Sequence, residues 1–348
     1  MIGLLLAGLP GAAESQVKYI DTHAHLFGFG KARGDYAGHA RTAVAAMDKL
    51  GAALTIVAAL PVPPGLHWTQ DADELFKGTK DFPGRFAVVA GGGSLHPMIL
   101  EAASAGSTSD SLRRKFIATA EKLAKLPIVA FGEMATDHFS MADWHPYQHA
   151  PADHPLYLAL ADIAAEHDLP IDLHMEAIET PASLNPRYRS SLNPAKLVPN
   201  IPAFERLLAH NRKARIIWTH VGWDNAGQRT PALTRRLLAA HPNLYLAIKL
   251  AQGTIAPDTP FFVRGSGRIH PAWRAVIDEF PDRFMVGTDE FHIGPASDRR
   301  KIPQHAGSAR LILNSLPPAL ARRIGIDNPL TVYPRLRDRN ASLPPSKH

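Results

Sequence analysis

Cysteine is missing from all 348 residues. A disulfide framework, a thiolate metal site and a catalytic thiol are therefore excluded. The missing thiols name no compartment, because periplasmic and cytoplasmic enzymes alike can do without them. Long apolar runs are also missing. The one apolar stretch of note, residues 2–9, is broken by Pro10 and Gly11 and falls far short of the ~18 residues of a membrane helix. There is no Ser/Gly linker and no short-period repeat. Dense charge is absent too: the formal net charge is +6, and the longest basic clusters are Arg113-Arg114-Lys115 and Arg299-Arg300-Lys301. Clusters this short are usual on solvated helix faces and do not make a nucleic-acid surface. At 45% hydrophobic and 20% charged, the composition is that of a globular chain.

Histidine is abundant, with 18 residues. It is the commonest metal ligand and a frequent acid or base, so the histidines lead the reading. Apolar, β-rich runs at 17–22, 54–60, 86–90, 128–134, 171–175, 216–219, 244–250 and 284–288 alternate with helical patterns at 39–50, 109–126, 155–167, 203–211, 232–241, 272–280 and 304–316. Strands alternating with helices indicate parallel βαβ units. The strands read as near-continuous apolar runs, as strands covered on both faces do. The expectation is α/β: a single (β/α)8 TIM barrel over residues 18–335, with an open doubly wound sheet as the runner-up. Residues 1–17 read as an apolar leader, the remnant of a secretory signal peptide ending near Ala13. The competing reading is a short helix closing the barrel floor. The leader is the sole ground for a periplasmic or secreted location over a cytoplasmic one. Residues 336–348, rich in Pro, Ser and basic residues, read as a loose tail.

Barrel chemistry sits at the C-terminal ends of the strands. There this chain carries His23 and His25, Glu133, His174, His220 and Asp289. Residues two apart on a strand share a face, so the imidazoles of His23 and His25 can reach one divalent ion. Adding two carboxylates and two further histidines gives a mixed N/O ligand set suited to Zn²⁺ or Mn²⁺. Each residue alone has a plainer role in packing or helix capping. Six of them gathered at the ends of five strands are expected to form a metal site.

With the His-x-His on the first strand, one histidine each on the fifth and sixth, and the aspartate on the eighth, the chain resembles the amidohydrolase superfamily. Pro170-Ile171-Asp172-Leu173-His174-Met175-Glu176 and the ending Asn328-Pro329-Leu330-Thr331-Val332-Tyr333 are similar to its amidohydrolase-related branch of hydrolases, lactonases and decarboxylases. The resemblance implies a metal-dependent hydrolase cleaving an amide, ester or lactone of a small molecule with a metal-activated water. The alternatives are a decarboxylase or a TatD-like phosphodiesterase on the same scaffold, or a non-catalytic metal-binding barrel. It implies one or two ions, most readily zinc, with manganese as the other candidate. In the two-ion arrangement His23, His25 and Asp289 hold the first ion and His174 and His220 the second, with Glu133 as the bridge. With one ion, His220 acts on substrate. Asp289 is the expected proton shuttle, and His220 the group that stabilises an oxyanion.

Lys249 follows even-numbered aliphatics on its strand, which turns it into the barrel. It could pair with an anionic substrate or with Glu133, and snorkelling to water is the plain alternative. Trp223, three residues past His220, is expected to line the pocket. The 137–153 loop, with His138, His145, His149, Trp144 and Tyr147, followed by His154, reads as a lid over the site, and Arg187 and Arg189 as anion clamps or surface residues. Gly91-Gly92-Gly93 lacks the following Lys-Ser/Thr of a phosphate loop and is expected where backbone passes close to a ligand or loop. No nucleic-acid partner and no membrane span are expected, and homo-oligomerisation stays open.

Overall fold

The computed structural model describes residues 17–339 apart from 29, 67–69, 141–144, 185–191, 251–259, 264–265 and 296–304. The leader up to residue 16, together with Trp144, Arg187 and Arg189, lies outside the described residues.

Parallel strands follow one another as β1 Tyr19–Leu26, β2 Ala52–Ala58, β3 Phe86–Gly91, β4 Ala130–His138, β5 Ile171–Met175, β6 Ile216–Val221 and β7 Leu244–Ile248. An eighth strand, β8, comes in two halves, Phe284–Val286 and Glu290–His292. The first half continues the β7 ladder, pairing Leu246 with Phe284 and Ile248 with Val286. The second half crosses to β1, pairing Ala24 with Glu290 and Leu26 with His292. The break at 287–289 thus closes the sheet into a ring, and the open-sheet alternative fails. Gly287 is required there, because a Cβ would sit 2.9 Å from the Cβ of His23.

Helices cover the outer face. Helix α1, Tyr36–Leu50, starts under the Asp35 cap and stops at Gly51, whose φ of 77° suits glycine. The sequence reading missed α2, Ala72–Thr79, and α3, Leu95–Ser104. The signal for α2 was present as a capping box, Asp71 with Glu74. As expected, the glycine run marks a close backbone approach: a Cβ at Gly92 would lie 2.4 Å from the Ala59 carbonyl oxygen, and one at Gly93 2.2 Å from that of Gln70.

The C-terminal segment plugs the barrel floor. Ile326, Val332, Tyr333 and Leu336 pack among Ile20, Leu54, Ala87, Val129, Ile217 and Met285, which line the interior near the strand starts. Arg335 donates to the carbonyls of Ala124, Leu126 and Ile128 from one side and of His167 from the other. The loose tail expected from 336 therefore starts too early: Leu336 is fully buried, and a 3₁₀ turn continues to Arg339. Among the described residues no helix is long and apolar enough to cross a membrane. Leu336→Ala should lower unfolding stability by about 2–5 kcal/mol, read from the urea midpoint, whereas a free tail would leave that midpoint unmoved.

Candidate metal centre

The strand ends deliver all six expected residues to one buried point. His23 Nδ1 lies 2.9 Å from Asp172 Oδ2, and His25 Nδ1 lies 3.0 Å from the Ala58 carbonyl oxygen. A carbonyl oxygen only accepts, so His25 carries its proton on Nδ1, and the Asp172 carboxylate fixes the same tautomer on His23. Both Nε2 lone pairs then point inward, 3.2 Å apart. Two bare lone pairs at that distance repel unless a cation or a proton sits between them. These residues fit a metal ion.

Glu133 spans the centre. Its Oε2 lies 3.3 Å from His25 Nε2 and 3.6 Å from His23 Nε2, and its Oε1 lies 3.0 Å from His174 Nδ1 and 3.2 Å from His220 Nε2. Asp289 Oδ1 lies 3.1 Å from His25 Nε2 and 3.8 Å from His23 Nε2. Three overlapping trios can each hold an ion: His23-His25-Glu133, His23-His220-Asp289 and Glu133-His174-His220. His220 and Asp289 adopt φ of 63° and 52°, left-handed values that cost a non-glycine residue of order 1–3 kcal/mol. For Asp289 this conformation falls at the break in β8, where its N–H donates to the His23 carbonyl at 2.8 Å. Asp21 fixes that break, accepting from Thr288 N at 2.9 Å and Thr288 Oγ1 at 2.6 Å.

Burial opposes charge on every one of these groups, and the neighbours decide the outcome. Glu133 is fully buried, yet His23, His174 and His220 hold its carboxyl well below the ordinary range. For Asp289, the Lys249 ammonium and the hydrogen bond with His25 likewise overcome burial. Burial lowers the affinity of His25 for a proton, but hydrogen bonds to Asp289 and Glu133 raise its pKa to about 9. His220 goes the other way: burial outweighs Asp289 and Glu133 and keeps it neutral.

Lys249 does point into the barrel, fully buried, but its ammonium pairs with Asp289 and not with Glu133. Asp289 stands beside it at the β8 break and already carries the opposite charge, whereas Glu133 is surrounded by four imidazoles. The ammonium also lies 3.1 Å from the centroid of the Trp223 ring. Asp137 and His138, expected in the loop, are instead the last residues of β4; the His138 ring lies tilted 4.2 Å from the His174 ring, and the His145 ring meets it edge-on at 4.5 Å. The other loop residues have structural partners: Tyr147 and His149 hold Asp137, and His154 caps the helix Pro155–Glu166. Sequence reading missed Asp172, although it stands two residues before His174 on the same strand face. It also missed Glu176, whose Oε1 lies 3.7 Å from His174 Nε2.

A family model described as Amidohydrolase matches residues 143–335, more than half of the chain. The chain belongs to the amidohydrolase family. Members of this family bind a divalent metal, and the three trios are groups that could hold one. Among solved structures, 5-carboxyvanillate decarboxylase from Sphingomonas paucimobilis is similar at 12% identity and a TM-score of 0.50, covering 91% of this chain and 99% of that one. A probable 2-pyrone-4,6-dicarboxylic acid hydrolase from Acinetobacter baumannii, with citric acid bound, is similar at 11% identity and a TM-score of 0.50, over 91% of this chain and 99% of that one. At such identity the likeness is one of fold. No curated protein matches the chain.

Two outcomes are expected. Asp172→Asn should weaken metal binding about 10–100-fold, because the group that orients His23 is lost; isothermal titration of the metal-free protein measures this. Below about pH 9 the metal-free protein keeps the extra proton on His25, and an incoming ion must displace it. Apparent affinity should therefore climb with pH toward 9, and a flat profile from pH 6 to 9 would contradict the arrangement.

Proposed function

We propose that this amidohydrolase is a hydrolase with a two-ion centre, acting on an amide, ester or lactone of a small molecule. The observation that carries the reading is the spread of Glu133 across two histidine pairs. Two nearby cations repel, and an anionic ligand shared between them offsets the repulsion. Oε2 faces His23 and His25 while Oε1 faces His174 and His220. On this reading His23, His25 and Asp289 hold the first ion, His174 and His220 the second, and Glu133 belongs to both. Zinc suits the imidazole-rich set best, with manganese as the second choice.

When bound, such ions acidify water and polarise a carbonyl. The chain's own residues do the rest. Asp289 takes the proton of the attacking water and passes it to the leaving group. The Lys249 ammonium beside it holds this carboxyl low, so it relays the proton and does not retain it. His220, kept neutral by burial, stands ready to bind an ion or to face a developing oxyanion. Lys249 and Trp223 form the wall on the Asp289 side, where the buried ammonium suits an anionic group on the substrate and the indole an apolar one.

The test pairs metal analysis with chemistry. Protein loaded with excess Zn²⁺ and desalted should hold near two ions per chain, falling toward one in Glu133→Gln. A screen of esters, lactones and amides should give turnover that drops about 10²–10⁴-fold in Asp289→Asn. One ion per chain in both proteins, with carbon dioxide released from aromatic acids and no hydrolysis, would overturn the proposal in favour of a decarboxylase. Lys249→Met should raise KM for carboxylate-bearing substrates more than for neutral ones.

A further inference from the structure

The ladder between β5 and β6 ends before the ligands do. Its last pair is Leu173 with Trp218, so His174 and His220 both lie beyond the regular hydrogen bonds. One side chain takes over. Arg229, 2% exposed, donates to the Thr219 carbonyl at 2.9 Å and to the Met175 carbonyl. These carbonyls belong to the residue before His220 and the residue after His174. The Trp218 indole also donates to the Met175 carbonyl, at 2.8 Å, and the guanidinium lies 4.5 Å from the centroid of the Trp218 ring. A planar guanidinium carries several donors in a fixed fork, which lets one group bridge two strand ends.

The loop that brings Arg229 back to the barrel is itself tied down. Asp224 accepts from the N–H groups of Arg229 at 2.6 Å, Gly227 at 2.8 Å and Ala226 at 3.1 Å. Asn225 donates to Glu176 Oε1 at 2.6 Å from its side chain and to Oε2 at 3.3 Å from its backbone. Glu176 Oε1 in turn stands 3.7 Å from His174 Nε2, the ring nitrogen turned away from Glu133. The loop therefore acts on His174 twice, through its backbone and through its outer nitrogen, and on His220 through the preceding carbonyl. It makes no hydrogen bond to His23 or His25 among the described residues.

We propose that Arg229 is the positioning residue of the second ion's half of the centre: by clamping the ends of β5 and β6 it sets His174 Nδ1 and His220 Nε2 at Glu133 Oε1. This rests on the two-ion reading. The consequence is asymmetric. Loosening the clamp releases the His174-His220 ion and spares the ion held by His23 and His25.

The experiment measures zinc on the whole chain by competition with a chromophoric chelator, in wild type, Arg229→Met and Arg229→Lys, with thermal unfolding recorded beside it. Wild type should show two affinities. In Arg229→Met the weaker step should loosen by about 10–100-fold, the size seen when groups orienting a ligand are removed, with the tighter step unchanged. Arg229→Lys keeps the charge but loses the fork and should loosen the same step. Should Arg229→Met fail to fold, Asn225→Ala, which removes the side-chain bond to Glu176 Oε1 and leaves Arg229 in place, should shift that step in the same direction. Two unchanged affinities in a folded Arg229→Met would overturn the proposal and leave the two-ion reading standing. Equal loosening of both steps would also overturn it, as the mark of a general structural role. A single ion in wild type would overturn the two-ion reading and the proposal with it.

Discussion

At the C-terminal mouth of the barrel, acceptor atoms are packed where acceptor atoms repel. The Nε2 lone pairs of His23 and His25 face each other across 3.2 Å, and the Glu133 and Asp289 carboxylates close in on the same point. A folded chain tolerates this only if positive charge is shared among the groups, as an ion or as protons. Much of the surrounding structure follows from that constraint. Asp172 and the Ala58 carbonyl hold the outer nitrogens so that the inner ones stay bare. Lys249 brings a fixed cation to the Asp289 side. The break in β8 closes the ring and swings Asp289 inward in the same three residues.

The parts of this design legible in the sequence were those governed by periodicity. Apolar runs covered on both faces marked the strands, and β5 was read to its exact bounds. Each metal-ligand candidate was visible because a polar residue at the end of an apolar strand stands out. Less legible were features that depend on which strands become neighbours. That Asp172 orients His23, 149 residues away, is a fact of barrel order and not of local pattern. Lys249 was read as inward-facing, but its partner could not be chosen between Glu133 and an external anion, because Asp289 reaches it only through the β8 break. Arg229 has no local signal, since nothing in the sequence near it shows that the β5–β6 ladder stops at Leu173.

The family match and the fold likeness agree on scaffold and leave the reaction to the side chains. One carboxylate on β4 separates the readings more sharply than overall shape does. On the proposed two-ion reading, the two oxygens of Glu133 face different histidine pairs because each serves one ion.

The barrel floor has a bearing on how the protein is made. Tyr333 reaches back to the Thr22 carbonyl, adjacent to His23, across a sequence separation of 311 residues. During synthesis at about 5–20 residues per second, the first strand would wait roughly 15–60 s for the segment that seals the barrel beneath it. Over that interval His23 and His25 belong to an unfinished sheet with an open edge, and Asp289 is among the last ligands to emerge. Until Asp289 and the floor segment emerge, the ligand set and the packing beneath it are incomplete.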